Sequence, residues 1–490
     1  MIDKQQTSPD ILILGLGPGD PNLLTRRAWD VINSAEEIYL RTNQHPTVDG
    51  FPPDLRIHSF DPYYQTEDSF KDVYQRITDE VIALGQNAPG VIYAVPGDPY
   101  VAEATTPMIL SQAREKDLVV EIIPGVSFLE PTFSALEVDP LPQITILDAL
   151  ELLDAHYPPF PPDKPALIAQ VYSPEIASHV KLTLMAVYPD QHPVLLIHDA
   201  GTESELVENI SLFEMDRSRN IKNRSSVLIP PLELGSSLES FQEIIAHLRA
   251  PDGCPWDREQ DHQSLRTNLL EETYEALEAI DADDPAAMQE EFGDLLLQII
   301  LQAQIAGEFG EFTMSDVILG IYQKIIHRHP HVFEELPIDQ AEDVIRNWER
   351  IKAQDRELNG EIDKGLLDGV PTSLPALTQA QTYQKRAARM GFDWTDLHGV
   401  MEKIPEEIAE IQEAQLPVEQ AAEVGDLLFS VVNIARWLDI DSESALRDAN
   451  QRFKNRFADL EKKARASGRE LSEMTLEELD KLWEQAKSKE

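Results

Sequence analysis

Two segments of this chain carry the same acidic pattern, Glu-Glu-x-x-Glu followed further on by Glu-x-x-Asp, at Glu271–Asp294 and at Glu406–Asp426. The first reads LEETYEALEAI…EEFGDLLLQII and the second PEEIAEIQEA…AEVGDLLFSVV. Residues three apart share a helix face. Glu272 with Glu275, and Glu291 with Asp294, then form acidic pairs, and two helices packed side by side bring four carboxylates together. Glu407, Glu410, Glu423 and Asp426 repeat the set. Like charges gathered in one place repel unless a cation neutralises them, and hard oxygen donors suit Mg²⁺ or Mn²⁺. A centre of that kind commonly handles phosphates.

The bland alternative is a solvated glutamate-rich face, which a chain this acidic has in plenty. Three observations weigh against it. The unit occurs twice with Gly-Asp in the same register, Gly293-Asp294 and Gly425-Asp426. The acids abut apolar runs, Leu295–Leu297 and Leu427–Phe429, which predicts core helices, and a carboxylate beside a core is costly unless paired or metal-bound. A basic pair at i, i+4 follows each copy, Lys324 with Arg328 and Arg452 with Arg456. Such pairs can clamp outer phosphates, or simply form salt bridges. The acidic pairs are sixteen residues apart in one copy (Glu275 to Glu291) and thirteen in the other (Glu410 to Glu423), which predicts a change of loop. Trp256 and Trp394 follow turn-like segments; base stacking is one role, and burial as structural residues is the expected one. For His327-Arg328-His329-Pro330-His331, Pro330 argues against a strand that would converge the imidazoles on zinc, so a helix end with local hydrogen bonds is expected.

The elements that must hold these residues fall into two characters. ILILGL (11–16), VIYAVPGDP (91–99) and VVEIIPGVS (119–127) are strands ending in glycine turns, separated by helical patterns, as in a parallel α/β sheet. After the Pro-rich stretch YPPFPPDKP (157–165), ALIAQVY (166–172), PVLLIHDAG (193–201) and SSVLIPPLELGSS (225–237) belong to a second α/β lobe beginning near 146. From 240 onward long helical periodicity replaces strand signals. A joint is expected near 357–375, where NGEIDKGLLDGVPTSLP holds three glycines and two prolines.

At 490 residues the chain has room for roughly three domains. The 41 basic and 88 acidic residues give a formal charge of −47, which disfavours a nucleic-acid polymer or an anionic membrane as partner. A single cysteine, Cys254, excludes an internal disulfide framework and a Cys-based zinc site. With neither a secretory signal nor a membrane-length apolar run, the expected home is the cytoplasm.

GCPWDREQ (253–260), LEETYEALEAI, EFGDLLLQ, RHPHVF (328–333), LPALTQAQ…QKRAARMGFDW (374–394) and EVGDLLF together resemble the MazG family of nucleoside triphosphate pyrophosphohydrolases, over about 240–490 as a tandem pair. The resemblance implies an all-α fold and Mg²⁺-dependent attack at the α-phosphorus, converting nucleoside triphosphates to monophosphate and pyrophosphate. It implies metal ligation by the two tetrads, second-shell or water-activating roles for Glu271 and Glu406, phosphate contacts from the basic pairs, and a homodimer. In some tandem members the C-terminal copy carries the catalysis, which points to the second repeat here.

GLGPGDPNLLT, AVPGDPYVA and IIPGVS resemble the tetrapyrrole (corrin/porphyrin) methylase family over about 10–230. That implies S-adenosylmethionine bound between two α/β lobes, with Pro18, Gly97, Asp98, Val101 and Ser127 at the matching cofactor positions. Where the family text after Gly-Asp-Pro runs into a Gly-rich turn, this chain has Tyr100-Val101-Ala102-Glu103, a departure that bears on the acceptor rather than the cofactor. The expected architecture is a two-lobed α/β methylase-like half (10–232, lobes about 10–145 and 146–232) followed by an all-α half of two helical repeats (240–356 and 372–490). A second reading makes the helical half a non-catalytic dimerisation or nucleotide-sensing module serving a methyltransferase.

Overall fold

The computed structural model describes residues 9–333, 351 and 365–487. The chain divides into two compact units, meeting at Arg258 and Glu259. The end expected for the first helical repeat at 356, and part of the expected joint at 357–375, lie outside the described residues.

The first unit holds two five-stranded sheets. In the first, β1 (Ile11–Gly15), β2 (Glu37–Leu40), β3 (Arg56–Ser59), β4 (Val91–Val95) and β5 (Val120–Ile123) are all parallel, in the order β3-β2-β4-β1-β5. A buried parallel strand must be apolar on both faces, and β1 divides its side chains accordingly. Ile11 and Ile13 pack with Ile77, Val81, Tyr93 and Ile109 on one face, where helices α2 (Phe70–Gly85) and α3 (Thr105–Glu115) lie. Leu14 packs with Ala28 and Ile32 of α1 (Arg26–Ser34) and with Ile38 and Leu40 on the other. The crossover from β1 to β2 runs through α1 on one face, and that from β4 to β5 through α3 on the other. The neighbours β1 and β4 therefore flank the switch point where an open sheet leaves a crevice beyond its carboxyl ends.

The second sheet, β6 (Thr145–Asp148), β7 (Ala166–Ala169), β8 (Pro193–His198), β9 (Leu206–Ser211) and β10 (Ser225–Ile229), is mixed: β6 and β7 are parallel, the other pairings antiparallel. The periodicity reading missed β2, β3, β6 and β9. The reason is local: β3 and β9 are exposed for much of their length and so lack a continuous apolar run.

The second unit is helical. Helices α4 (Arg266–Asp281) and α5 (Pro285–Glu308) pack as a hairpin, followed by α6 (Met314–Arg328). The pattern returns with α7 (Ala376–Arg389), the hairpin α8 (Leu397–Glu413) and α9 (Pro417–Trp437), then α10 (Ser442–Ala466) and α11 (Leu476–Lys487). Both hairpin connections are three residues long, 282–284 and 414–416, each ending in a proline at the first helical position. The expected loop change is thus corrected. The three extra residues of the first copy lengthen helix α4 beyond Glu275 by close to one turn, since Glu275 lies six residues before its helix end and Glu410 three.

The runs Leu295–Leu297 and Leu427–Phe429 are less buried than core helices require, with Leu296, Leu428 and Phe429 exposed. Trp256 and Trp394 are also corrected: they are 58% and 42% exposed, not buried. His329 ends α6 with its ring Nδ1 2.7 Å from the Ile325 carbonyl oxygen, the local bond expected of a helix end. Among the described residues no helix is long and apolar enough to cross a membrane.

Candidate metal centres and cofactor loops

Each hairpin presents its acids on facing helices. Carboxylate oxygens of Glu272, Glu275 and Glu291 lie within 4.8 Å of one another, and so do those of Glu407, Glu410 and Glu423. Helical spacing aligns the pair on the first helix, and the short connection brings the third acid alongside. Asp294 acts on Glu272 and Glu291 through space, while Asp426 is exposed and outside the close trio.

The copies differ in charge compensation. In the first, burial and then repulsion from Asp294, Glu275 and Glu291 raise the Glu272 pKa; burial and then Glu275, Glu290 and Asp294 raise that of Glu291. In the second, Lys403 Nζ stands 2.8 Å from Glu406 and 3.4 Å from the buried Glu407. The first copy has Asn268 at the matching place, three residues before Glu271. Lys403 was missed by the sequence reading, although its i, i+3 and i, i+4 spacing to two acids was the available signal.

Lys324 and Arg328 lie on α6, Arg452 and Arg456 on α10. The Arg456 guanidinium sits 5.9 Å from the ring centre of Trp483 on α11. Trp483 and Phe453, with rings 5.2 Å apart, line an open apolar pocket of about 270 Å³ together with Phe457, Leu460, Leu476 and Leu479. This cavity was not read from the sequence, because α10 and α11 each show only half of its wall.

Raised carboxylate pKa values have a signed consequence. The folded state holds protons on Glu272 and Glu291 more readily than the unfolded chain does. Their contribution to stability is therefore present in acid and lost as pH rises through the folded-state pKa. At neutral pH the metal-free cluster opposes folding, and a divalent cation should offset that. Mg²⁺ is expected to raise the thermal midpoint at neutral pH, with the gain shrinking before the ordinary glutamate range is reached. Scanning fluorimetry across pH checks this; an equal Mg²⁺ gain in acid and at neutrality would contradict it.

In the first unit three glycine loops meet at the switch point. Gly17 and Gly97 exchange backbone hydrogen bonds, at 3.2 Å (Gly17 N to Gly97 O) and 2.8 Å (Gly97 N to Gly17 O). A Cβ on Gly125 would stand 2.2 Å from the Gly97 carbonyl oxygen, so only glycine permits that approach. Asp98 ties the loops together, its carboxylate accepting from Gly125 N at 3.0 Å and from Tyr100 N at 2.8 Å. A Cβ on Gly97 would meet nothing within 4 Å, so the backbone there faces open space. Pro18 is buried in the first loop and Val101 closes the turn after Asp98 with its amide bonded to the Asp98 carbonyl. The Ser127 hydroxyl is buried and donates to Glu130 at 2.6 Å.

Residues 10–216 match the family model of tetrapyrrole (corrin/porphyrin) methylases, and residues 260–333 that of the MazG nucleotide pyrophosphohydrolase domain. Over 496 residues the chain is 40% identical to YabN of Bacillus subtilis (strain 168), covering 98% of this chain and 99% of that protein. It is 45% identical over 255 residues to the nucleoside triphosphate pyrophosphohydrolase/pyrophosphatase MazG of Thermotoga maritima, covering 52% of this chain and 97% of that one. It is 41% identical over 261 residues to the nucleoside triphosphate pyrophosphohydrolase of Escherichia coli (strain K12), covering 52% and 98%.

Proposed function

We propose, for a chain that belongs to the MazG nucleotide pyrophosphohydrolase family and carries a tetrapyrrole methylase domain ahead of it, Mg²⁺-dependent hydrolysis of nucleoside triphosphates to monophosphate and pyrophosphate. The duplicated carboxylate trio on a short helical hairpin carries this reading. Three hard oxygen donors within 4.8 Å of one another, with their repulsion unrelieved in the first copy, fit a small divalent cation. The ligands are Glu272, Glu275, Glu291 and Asp294, and Glu407, Glu410, Glu423 and Asp426. Bound there, Mg²⁺ or Mn²⁺ would supply charge neutralisation and Lewis acidity at phosphate oxygens.

The protein's own groups do the rest. Glu271 and Glu406 orient the attacking water. Lys324 with Arg328, and Arg452 with Arg456, stabilise the charge that leaves on pyrophosphate. In the second repeat, the apolar pocket lined by Phe453 and Trp483 suits a nucleobase, since a flat ring stacks on an aromatic side chain. The second repeat is the proposed catalytic copy, on the resemblance to tandem members of the family in which the C-terminal copy is the active one. We divide the chain into a methylase-like domain at 10–232 and repeats at 240–356 and 372–490. Incubating the protein with each nucleoside triphosphate and Mg²⁺, and separating pyrophosphate from orthophosphate, tests the reading. No turnover across the panel with Mg²⁺ or Mn²⁺ would sink it.

S-adenosylmethionine is the proposed cofactor of the N-terminal domain, held at Pro18, Gly97, Asp98, Val101 and Ser127. The open space over Gly97 between fused loops supports this.

A homodimer completes the helical unit. Phe292, Leu296 and Ile299 on α5, and Val424, Leu428 and Val431 on α9, form matching exposed stripes at i, i+4, i+7. Ile318, Ile321, Tyr322 and Ile325 form another on α6. Apolar stripes of this extent mark a protein interface. Sedimentation is expected to give a dimer, with Leu428→Glu shifting it toward monomer; a wild-type monomer at micromolar concentration would refute it.

A further inference from the structure

The loop after β4 turns a carboxylate inward at the crevice end of the first sheet. Ala102 adopts a φ of 53°, a region side-chain-bearing residues seldom occupy. The turn delivers Glu103 into the interior, where its carboxylate accepts from Thr105 N at 2.9 Å and Thr105 Oγ1 at 2.5 Å and pairs with Arg41. Arg41 directly follows β2, so both groups lie at the carboxyl ends of the strands. Its guanidinium also donates to the Tyr64 hydroxyl at 3.1 Å and sits 5.7 Å from the Tyr74 ring centre. Asp148 ends β6 and Tyr172 lies just beyond β7 of the second sheet, and both act electrostatically on Tyr74, so this ring is within electrostatic reach of that sheet. Phe70, 60% exposed, stacks on Tyr74 with centroids 6.2 Å apart, and Tyr64 meets it edge-on.

The cations around this space are already paired. Arg41 is taken by Glu103. Near the glycine loops, Lys222 and Arg224 both bind the buried carboxylate of Asp199. Among the described residues Asp148 has no cation partner; it accepts from Gln170 at 2.8 Å and from Leu150 N at 2.9 Å. With Asp98 in the glycine loops, whose carboxylate accepts only backbone amides, these three cations face four carboxylates. A macrocycle with acetate and propionate arms needs unpaired cations to replace the water around its carboxylates, and its approach to a crevice whose cations are already paired costs that hydration uncompensated.

We infer that the crevice of the N-terminal domain takes an uncharged or cationic ring compound as methyl acceptor and rejects polycarboxylate macrocycles, with Glu103 setting that specificity by occupying Arg41. This rests on the reading that S-adenosylmethionine binds the adjoining loops. The aromatic group of Tyr64, Phe70 and Tyr74 supplies the flat surface, which favours a cation or neutral ring equally well.

The test uses the full-length protein first titrated with S-adenosylhomocysteine, whose failure to bind would remove the cofactor reading alone. With that ligand bound, uroporphyrin III and N-methylquinolinium are titrated by fluorescence and calorimetry. Wild-type protein is expected to bind N-methylquinolinium, at least tenfold more weakly after Tyr74→Ala, and to show no saturable uroporphyrin binding. Glu103→Gln, which keeps a partner for Thr105 and releases Arg41, is expected to gain uroporphyrin affinity tenfold or more. Saturable uroporphyrin binding by the wild type that Arg41→Ala weakens would overturn the inference. So would a folded Glu103→Gln variant with no gain, or failure of the wild type to bind the quinolinium probe. If Glu103→Gln does not fold, the Tyr74→Ala comparison still decides.

Discussion

Glu275→Gln combined with Glu410→Gln is expected to lower Mg²⁺-dependent pyrophosphate release by about 10³-fold or more, equivalent to roughly 4 kcal/mol of transition-state stabilisation. Each substitution keeps the size of the side chain and removes one charged oxygen donor from a trio whose members lie within 4.8 Å. Folding should survive, because the change relieves repulsion: in the first copy Glu275 is among the groups that raise the pKa of both Glu272 and Glu291. The metal-free double variant should therefore unfold no earlier than wild type while losing its Mg²⁺-dependent gain. The single variants apportion the activity. A collapse with Glu410→Gln and little change with Glu275→Gln would assign catalysis to the second hairpin. Near-wild-type turnover by the double variant, measured by pyrophosphate release, would place the chemistry elsewhere.

The second large effect concerns one methyl group. Gly125→Ala would put a Cβ 2.2 Å from the Gly97 carbonyl oxygen and 3.0 Å from the backbone of Gly15. All the nearest atoms are backbone, so no side chain can swing away, and the loops after β1, β4 and β5 must separate. Overpacking of this kind costs about 3 kcal/mol. In a unit this large that lowers the thermal midpoint by roughly 6–12 °C. Separating the loops also breaks the Gly17–Gly97 exchange and the Asp98 bond to Gly125 that shape the crevice. S-adenosylhomocysteine affinity should fall by about 10²-fold or more, while pyrophosphate release by the helical unit is retained. Unchanged affinity, by calorimetry, would mean that the three loops do not form the cofactor site. Loss of both activities together would show that the two halves depend on each other.

Some of this was legible in the chain and some was not. The acidic trios were, because spacing on a helix is a local property and the unit occurs twice. Lys403 was equally local, and its contrast with Asn268 stands in the sequence. Glycine turns after three strands were visible too, but their mutual contact was not. Gly15, Gly97 and Gly125 meet only because β1, β4 and β5 lie side by side, through crossovers that no single segment reveals. The same holds for Trp483, whose cavity needs α10 and α11 together. Reading Trp256 and Trp394 as buried failed for a related reason: hydrophobicity states what a residue gains from burial, not whether a neighbour is there to cover it.

What the sequence determined by itself was the change from strand-and-turn to helix near 240, the paired acids on each hairpin and the glycine in each loop after β1, β4 and β5. These follow from backbone preference and from periodicities of two and 3.6 residues, which act over a few neighbours. Tertiary structure alone decided which acids come within ligating distance, which glycines touch, and that Glu103 turns inward to occupy Arg41. Those outcomes depend on distances between residues far apart in the chain, and such distances are set by how the elements pack.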